Sequence, residues 1–149
     1  MKRILFTMLL LFVAGLVKAQ IENPVKWAAG AKKISNTEAI IMLKATIDDG
    51  WHIYSQKKND NGGPVSTRFT FTPSADYTIV GNTAEPEPIT RFEESFSMNL
   101  SFYEHSVIFQ QKIKLNKPTT VIKGTIKFMV CNDEKCLPPD TIPFTAMVK

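Results

Sequence analysis

Cys131 and Cys136 are the two cysteines of this 149-residue chain, and four residues separate them. They sit in Val-Cys-Asn-Asp-Glu-Lys-Cys-Leu-Pro-Pro, residues 130–139. A pair at this spacing admits three chemistries. As a staple it is weak: a disulfide restricts the unfolded chain more as its loop grows, and six residues give roughly 2 kcal/mol against about 3 for fifteen. As a metal site it would need His52 and His105, which are far apart in sequence and lack a His-x₃₋₅-His pairing. As a thiol–disulfide couple it is well placed, because a short loop at a turn leaves sulfur open to attack by a thiolate. Spacing alone leaves staple and couple level; a metal is not expected.

The pair must be positioned by the segments around it. Thr120 to Val130 alternates, with Ile122, Gly124, Ile126, Phe128 and Val130 on one face, and reads as a long strand. Thr141 to Val148 reads as another. Asn132 to Lys135 are turn formers or charged, so the cysteines are expected in a short turn joining two adjacent strands, roughly 5.5 Å apart at Cα. Upstream, Ile21 to Trp27 reads as a lead-in and short first strand, and Ala28 to Asn36 as polar and turn-like. Ala39 to Ile47 and Ser106 to Leu115 alternate strongly, the latter with Val107, Phe109, Gln111 and Ile113 on one face. Trp51 to Gln56, Thr67 to Thr72, Tyr77 to Val80 and Leu100 to Tyr103 are shorter extended segments, while Lys57 to Pro64 is a Gly-rich loop. Arg91 to Met98 is mixed. Glu85-Pro86-Glu87-Pro88 cannot be helix or central strand, since proline removes the donor and fixes φ. No convincing helix or repeat appears. Seven to nine short strands predict an all-β chain, an immunoglobulin-like antiparallel β-sandwich, with an eight-stranded barrel as the alternative. Cysteines this close leave no room for the usual staple between two sheets.

The N-terminus predicts export. Lys2 and Arg3 precede an apolar run, Ile4 to Val17, and Val17-Lys18-Ala19 offers small residues at the cleavage positions. Residues 1–19 therefore read as a signal peptide and residues 20–149 as one domain, periplasmic or secreted, in a compartment where disulfides persist. Lys2, Arg3 and Lys18 are three of the 18 basic residues; without them 15 stand against 14 acidic, net +1. That balance gives no reason to expect nucleic-acid or anionic-membrane binding.

The cysteine hairpin with its Pro138-Pro139 resembles the active-site hairpin of the periplasmic N-terminal domain of DsbD, a transmembrane thiol–disulfide reductant conductor; the family is also called the disulfide bond corrector family. Gly50-Trp51-His52-Ile53-Tyr54 is similar to the family's Gly-aromatic-x-aliphatic-Tyr segment. Glu94-Ser95-Phe96 stands where the family has an acidic-acidic-Phe cap loop, and Phe102-Tyr103-Glu104 follows at the family's spacing. The similarity runs over nearly all of Ile21 to Lys149. It implies an immunoglobulin-like domain that passes electrons from a membrane thiol–disulfide reductase to periplasmic thioredoxin-fold proteins, in cytochrome c maturation or disulfide isomerisation, as a monomer without a cofactor. Cys136 would attack the partner's disulfide and Cys131 resolve the mixed disulfide. Phe96 would shield the pair, and His52 and Tyr54 would line the active site. Two departures stand out: well-known members place five residues between the cysteines rather than four, and Ser95 replaces an acidic cap residue. As the chain ends at Lys149, the membrane core and thioredoxin domain are expected on separate proteins, or the domain is reused.

Read from the residues alone, His52 and Tyr54 share one strand face and Trp51 and Ile53 the other, so one pair is core and the other either surface or pocket. Phe96 is either a cap or a core anchor. Lys135 beside Cys136 would favour a thiolate, and Asp133 and Glu134 would oppose it. His105 reads as a surface or turn histidine. The alternative from another class is a secreted β-sandwich binding ligand or protein on an aromatic platform of Trp27, Trp51, Tyr54 and Tyr77, with a structural disulfide.

Overall fold

The computed structural model describes residues 22–58 and 62–149. The expected leader, residues 1–19, lies outside the described residues, as do positions 59–61 of the Gly-rich loop. Among the described residues the chain forms eleven strands: β1 (Val25–Lys33), β2 (Glu38–Ile47), β3 (His52–Tyr54), β4 (Arg68–Phe71), β5 (Tyr77–Ala84), β6 (Ile89–Glu93), β7 (Met98–Glu104), β8 (Ser106–Leu115), β9 (Thr120–Phe128), β10 (Val130–Cys131) and β11 (Asp140–Val148). All pairings are antiparallel, in the orders β1-β2-β8-β5, β10-β3-β7-β6 and β11-β9-β4. These open orders pack into an immunoglobulin-like sandwich and do not close into a barrel.

Period-two alternation builds the core. Ala39, Ile41, Leu43, Ala45 and Ile47 of β2 are all buried, as are Val107, Phe109, Gln111, Ile113 and Leu115 of β8. Across from them lie Ile122, Ile126 and Phe128 of β9 and Phe144, Ala146 and Val148 of β11. Trp27 ties the layers together, its ring 6.1 Å from Phe69 on β4, 6.0 Å from Phe109 on β8 and 5.5 Å from Phe128 on β9. Gln111 is a buried polar residue on this face. It sits opposite the irregularity in β5 between Val80 and Ala84, where its amide donates to the Val80 carbonyl and accepts from the Thr83 hydroxyl. The Val80 carbonyl at the bulge is thus satisfied by a side chain of the neighbouring strand.

Three segments differ from the sequence reading. Residues expected as a turn after Trp27 continue β1 to Lys33, because the whole stretch pairs with β2 from Val25↔Ile47 to Lys33↔Ala39. Its alanines and lysines are poor strand formers, and tertiary pairing overrides that preference. The Tyr77–Val80 segment likewise runs on through the bulge to Ala84. The long strand from Thr120 ends at Phe128; after Met129 the chain leaves the sheet of β9, and Val130 and Cys131 pair with Ile53 and His52 of β3 instead. The cysteine turn therefore does not join β9 to β11 directly within their sheet, although β9 and β11 are neighbours as expected.

Gly124 marks the tightest point of the third sheet. A Cβ there would stand 2.3 Å from the Thr70 carbonyl oxygen and 2.6 Å from the Phe144 ring. The ring can turn, but the β4 backbone must shift. Gly124→Ala is therefore expected to cost about 1–3 kcal/mol, the range for forced overpacking. It should appear as a lower urea midpoint at unchanged slope; an unchanged midpoint would show that β4 yields freely.

Candidate functional site

The sheet switch at Met129 creates the site. Strand residues alternate between faces, so consecutive residues of β10 enter different environments. Val130 packs in the main core beside its partner Ile53, and Cys131 turns to the opposite face beside its partner His52. All three residues of β3 are buried, which means both of its faces are covered. Ile53 belongs to the main core, with Trp51 packed against it. On the other side Tyr54, Leu100, Phe102 and Cys131 form a separate small cluster, against which Phe96, Met98 and Met129 pack.

Local turn chemistry then returns the chain to Cys131. The Asn132 amide donates to the Lys135 carbonyl at 2.9 Å, and the Asn132 side-chain oxygen accepts from the amides of Glu134 and Lys135 at 3.0 and 2.8 Å. The Leu137 amide donates to the Val130 carbonyl at 2.9 Å. These bonds set Cys136 opposite Cys131 as an antiparallel bridge, Cα atoms 4.0 Å apart, and the two form a disulfide. Pro138 and Pro139 cannot donate to a ladder, and pairing resumes at Asp140. The two sulfurs are unequal in setting: Cys131 is 2% exposed, whereas Cys136 lies on the surface.

A cleft of about 290 Å³ opens over the bond, lined by His52, Tyr54, Glu93, Ser95, Phe96 and the Cys131–Cys136 turn. Its far wall is the hairpin of β6 and β7, whose loop is closed by the Phe96 amide on the Glu93 carbonyl and the Ser97 amide on the Glu94 carbonyl. Ser97 takes a positive φ of 54° at the end of this loop. Phe96 is half-buried against the cysteine cluster. Of the residues singled out in the sequence, His52, Tyr54, Ser95, Phe96, Cys131 and Cys136 meet around this cleft. Glu94 does not line it; Glu93 does, one position earlier. Lys135 is held by Glu22, 2.8 Å away, an ion pair between half-exposed groups. The sequence reading gave Arg91 no role and noted Phe102 only within the Phe102-Tyr103-Glu104 segment of the resemblance. Arg91 pairs with Glu93 at 2.8 Å and lays its guanidinium over Phe102 at 4.8 Å, while His52 packs on the same ring at 4.9 Å. The signal available was the run Met98, Leu100, Phe102 on one face of β7.

Burial governs the electrostatics. It lowers the His52 imidazole below its ordinary 6.5, helped by Arg91 and opposed by Glu93, Glu104 and Asp133. Burial, with Glu93 adding to it, pushes the Tyr54 hydroxyl up to about 12. His52 and Tyr54 are thus a neutral pair near neutral pH, with Nε2 and the hydroxyl oxygen 3.1 Å apart and the rings edge-on at 5.2 Å. Among the described residues, no three or more His, Cys, Asp or Glu cluster as metal ligands, and His105 pairs instead with Asp49 at 3.3 Å. The four aromatics considered as a platform do not form one. Trp27 packs among core rings, Trp51 packs against the main core, Tyr77 is buried with its hydroxyl on the Thr72 carbonyl, and Tyr54 lines the cysteine cleft.

An immunoglobulin-like β domain with a disulfide-closed hairpin beneath a neighbouring loop is the class that fold and site define. The chain belongs to the family of the N-terminal domain of the thiol:disulfide interchange protein DsbD, whose model matches residues 23–146. No match was found among curated proteins. Among solved structures, the complex between the DsbD N-terminal and PilB N-terminal domains from Neisseria meningitidis is 14% identical, with 86% of this chain and 88% of that chain covered at a TM-score of 0.55. The N-terminal periplasmic domain of ScsB from Proteus mirabilis is 18% identical, covering 83% of this chain and 44% of that one, with a TM-score of 0.54. The reduced DsbD N-terminal domain of Neisseria meningitidis is 16% identical at 0.50, covering 80% and 82%. At such identities the likeness is one of fold. Among the described residues, no helix is long and apolar enough to cross a membrane.

The lowered His52 value makes stability depend on pH with a definite sign. The unfolded histidine takes a proton near 6.5, and the folded one only at lower pH. Between the two the unfolded state binds more protons, so stability falls as pH falls through that window and is fully present above it. The oxidised protein is expected to lose urea stability between about pH 7 and pH 5 more steeply than His52→Gln. Parallel curves for the two proteins would mean that His52 titrates alike folded and unfolded.

Proposed function

We propose that this chain is an exported thiol–disulfide exchange domain, with Cys136 as the attacking residue and Cys131 as the resolving one. The observation that carries the reading is the asymmetry of the pair: one sulfur buried against an aromatic cluster, its partner at the surface. Exchange needs an accessible sulfur for the incoming protein and a second one held close by. In the reduced state the Cys136 thiolate attacks a partner disulfide. A Cys136–partner bond forms, and the electron pair of the broken bond leaves on the partner's other sulfur. Cys131 then attacks Cys136, re-forming the internal bond and releasing the partner as a dithiol two electrons richer. Phe96 serves as the cap that keeps small oxidants and thiols off the pair, and His52 and Tyr54 line the pocket. Thioredoxin-fold proteins of the periplasm are the proposed acceptors and a membrane thiol–disulfide reductase the donor. A related domain solved in complex with the PilB N-terminal domain supports a protein partner.

The first test is the reduction potential of the pair, from mass-shift alkylation across a glutathione series. A working couple is expected at roughly −180 to −230 mV, and a value below about −300 mV would mark a structural staple and favour a binding module. Cys136→Ser should keep the fold and abolish exchange with thioredoxin-fold substrates. For the cap, Phe96→Ala should speed alkylation of the reduced cysteines several-fold, by removing about one aromatic side chain of cover. Equal rates in the two proteins would make Phe96 an anchor of the small core instead.

A further inference from the structure

Resolution of the mixed disulfide requires Cys131 to lose a proton, and its setting makes that difficult. Its side chain lies among Tyr54, Leu100 and Phe102 and is 2% exposed. Apolar burial disfavours the thiolate and keeps water away. A base must therefore already stand beside it. The candidates lining the cleft can be taken in turn. Glu93 is committed to Arg91 at 2.8 Å, and a carboxylate is too weak a base for a buried thiol. Asp133 and Glu134 are exposed on the cysteine turn, and as carboxylates they are too weak as bases for the same reason. Lys135 is a cation held by Glu22. Tyr54 keeps its own proton, since its hydroxyl is raised to about 12. His52 remains: it faces Cys131 in register across the β3–β10 pair, shares its cleft and is 5% exposed. Directly opposed residues on antiparallel strands hold their Cβ atoms about 5 Å apart.

We propose that His52 is the proton acceptor for Cys131 in the resolving step, a role that rests on the exchange function proposed above. The Cys131 Sγ proton passes to the imidazole. The sulfur lone pair attacks Cys136 Sγ and forms the internal disulfide. The Cys136–partner bond breaks, and its electron pair leaves on the partner sulfur, which is protonated by solvent or by the imidazolium. The groups around His52 suit the task. In the tautomer that serves, Nε2–H donates to Tyr54 Oη and Nδ1 is left bare to take the proton, so the 3.1 Å bond survives the transfer. Glu93 of β6, Glu104 of β7 and Asp133 of the cysteine turn favour the transient cation, Arg91 of β6 opposes it, and the Phe102 face fixes the ring. Burial keeps the imidazole unprotonated, and so available to accept a proton, at neutral pH.

The test uses the reduced protein and a nitrobenzoate disulfide whose released thiolate is coloured. A first phase reports attack by Cys136, and a second reports attack by Cys131 on the mixed disulfide. In the wild type the second-phase rate should be flat above about pH 7 and fall below it, with a midpoint under the ordinary histidine value. His52→Gln should slow the second phase at neutral pH by ~10-fold or more beyond any change in the first. Its midpoint should also move into the thiol range, near or above about 8.5. A wild-type second phase with a thiol-like midpoint, which needs no variant to measure, overturns the proposal. So does a His52→Gln protein whose two phases slow together. A wild type that releases no second thiolate would instead remove the exchange function itself.

Discussion

Everything at the cysteine site depends on the two-residue strand β10. A strand that continued in the sheet of β9 would bury Val130 and expose Cys131 on that sheet's outer face. By crossing to β3 after Met129, the chain keeps Val130 in the main core and turns Cys131 into a second, smaller one. The switch also explains why β3 is buried on both faces despite its three-residue length. Ile53 anchors it to the sandwich, and that anchor holds His52 and Tyr54 under the disulfide. A position shift of one residue in β10 would exchange the two faces and bury the wrong side chain.

The small core separates the disulfide from the stability of the domain. Trp27, Phe69, Phe109 and Phe128 knit the sheets together without contacting the cysteine cluster. A six-residue disulfide loop contributes only roughly 2 kcal/mol in the chain-entropy model. Opening the bond therefore removes a small term from a fold whose main hydrophobic layer is elsewhere. The hairpin keeps its own support, because the Asn132 turn and the Leu137–Val130 hydrogen bond do not run through sulfur.

Much of the fold was legible because alternation is a local signal. The buried faces of β2 and β8 follow directly from Ala39 to Ile47 and Val107 to Leu115. What failed was whatever depended on partners distant in sequence. The extension of β1 to Lys33 rests on pairing with β2, not on the preferences of Ala28 to Lys33. The break at Met129 is invisible in an apolar alternation that runs on to Val130, since the pattern is the same whichever sheet receives the strand. At the site, the sequence brought out most of the cleft-lining residues through resemblance and the shared face of His52 and Tyr54. Glu94 was expected in the cap loop and lies in the β6–β7 loop, but the acidic side chain that lines the cleft is its neighbour Glu93, because a hairpin loop sets which side chain faces inward by turn geometry rather than by residue type.

The stack of Arg91, Phe102 and His52 shows how the small core holds polar groups without exposing them. Phe102 has no exposed surface, covered by a guanidinium 4.8 Å from its centre and an imidazole 4.9 Å away. A cation over an aromatic face is attracted to the ring, and here Arg91 is also neutralised by Glu93. The Arg91 charge is thus partly spent on a structural pair, and Lys135, which lines the cleft, is similarly engaged by Glu22. With both cations occupied, the cleft offers little charge to stabilise a thiolate on Cys131. Proton removal by a neutral neighbour fits that environment better than a permanently ionised sulfur does, and the imidazole opposite Cys131 is the neutral neighbour that the register supplies for the proposed step.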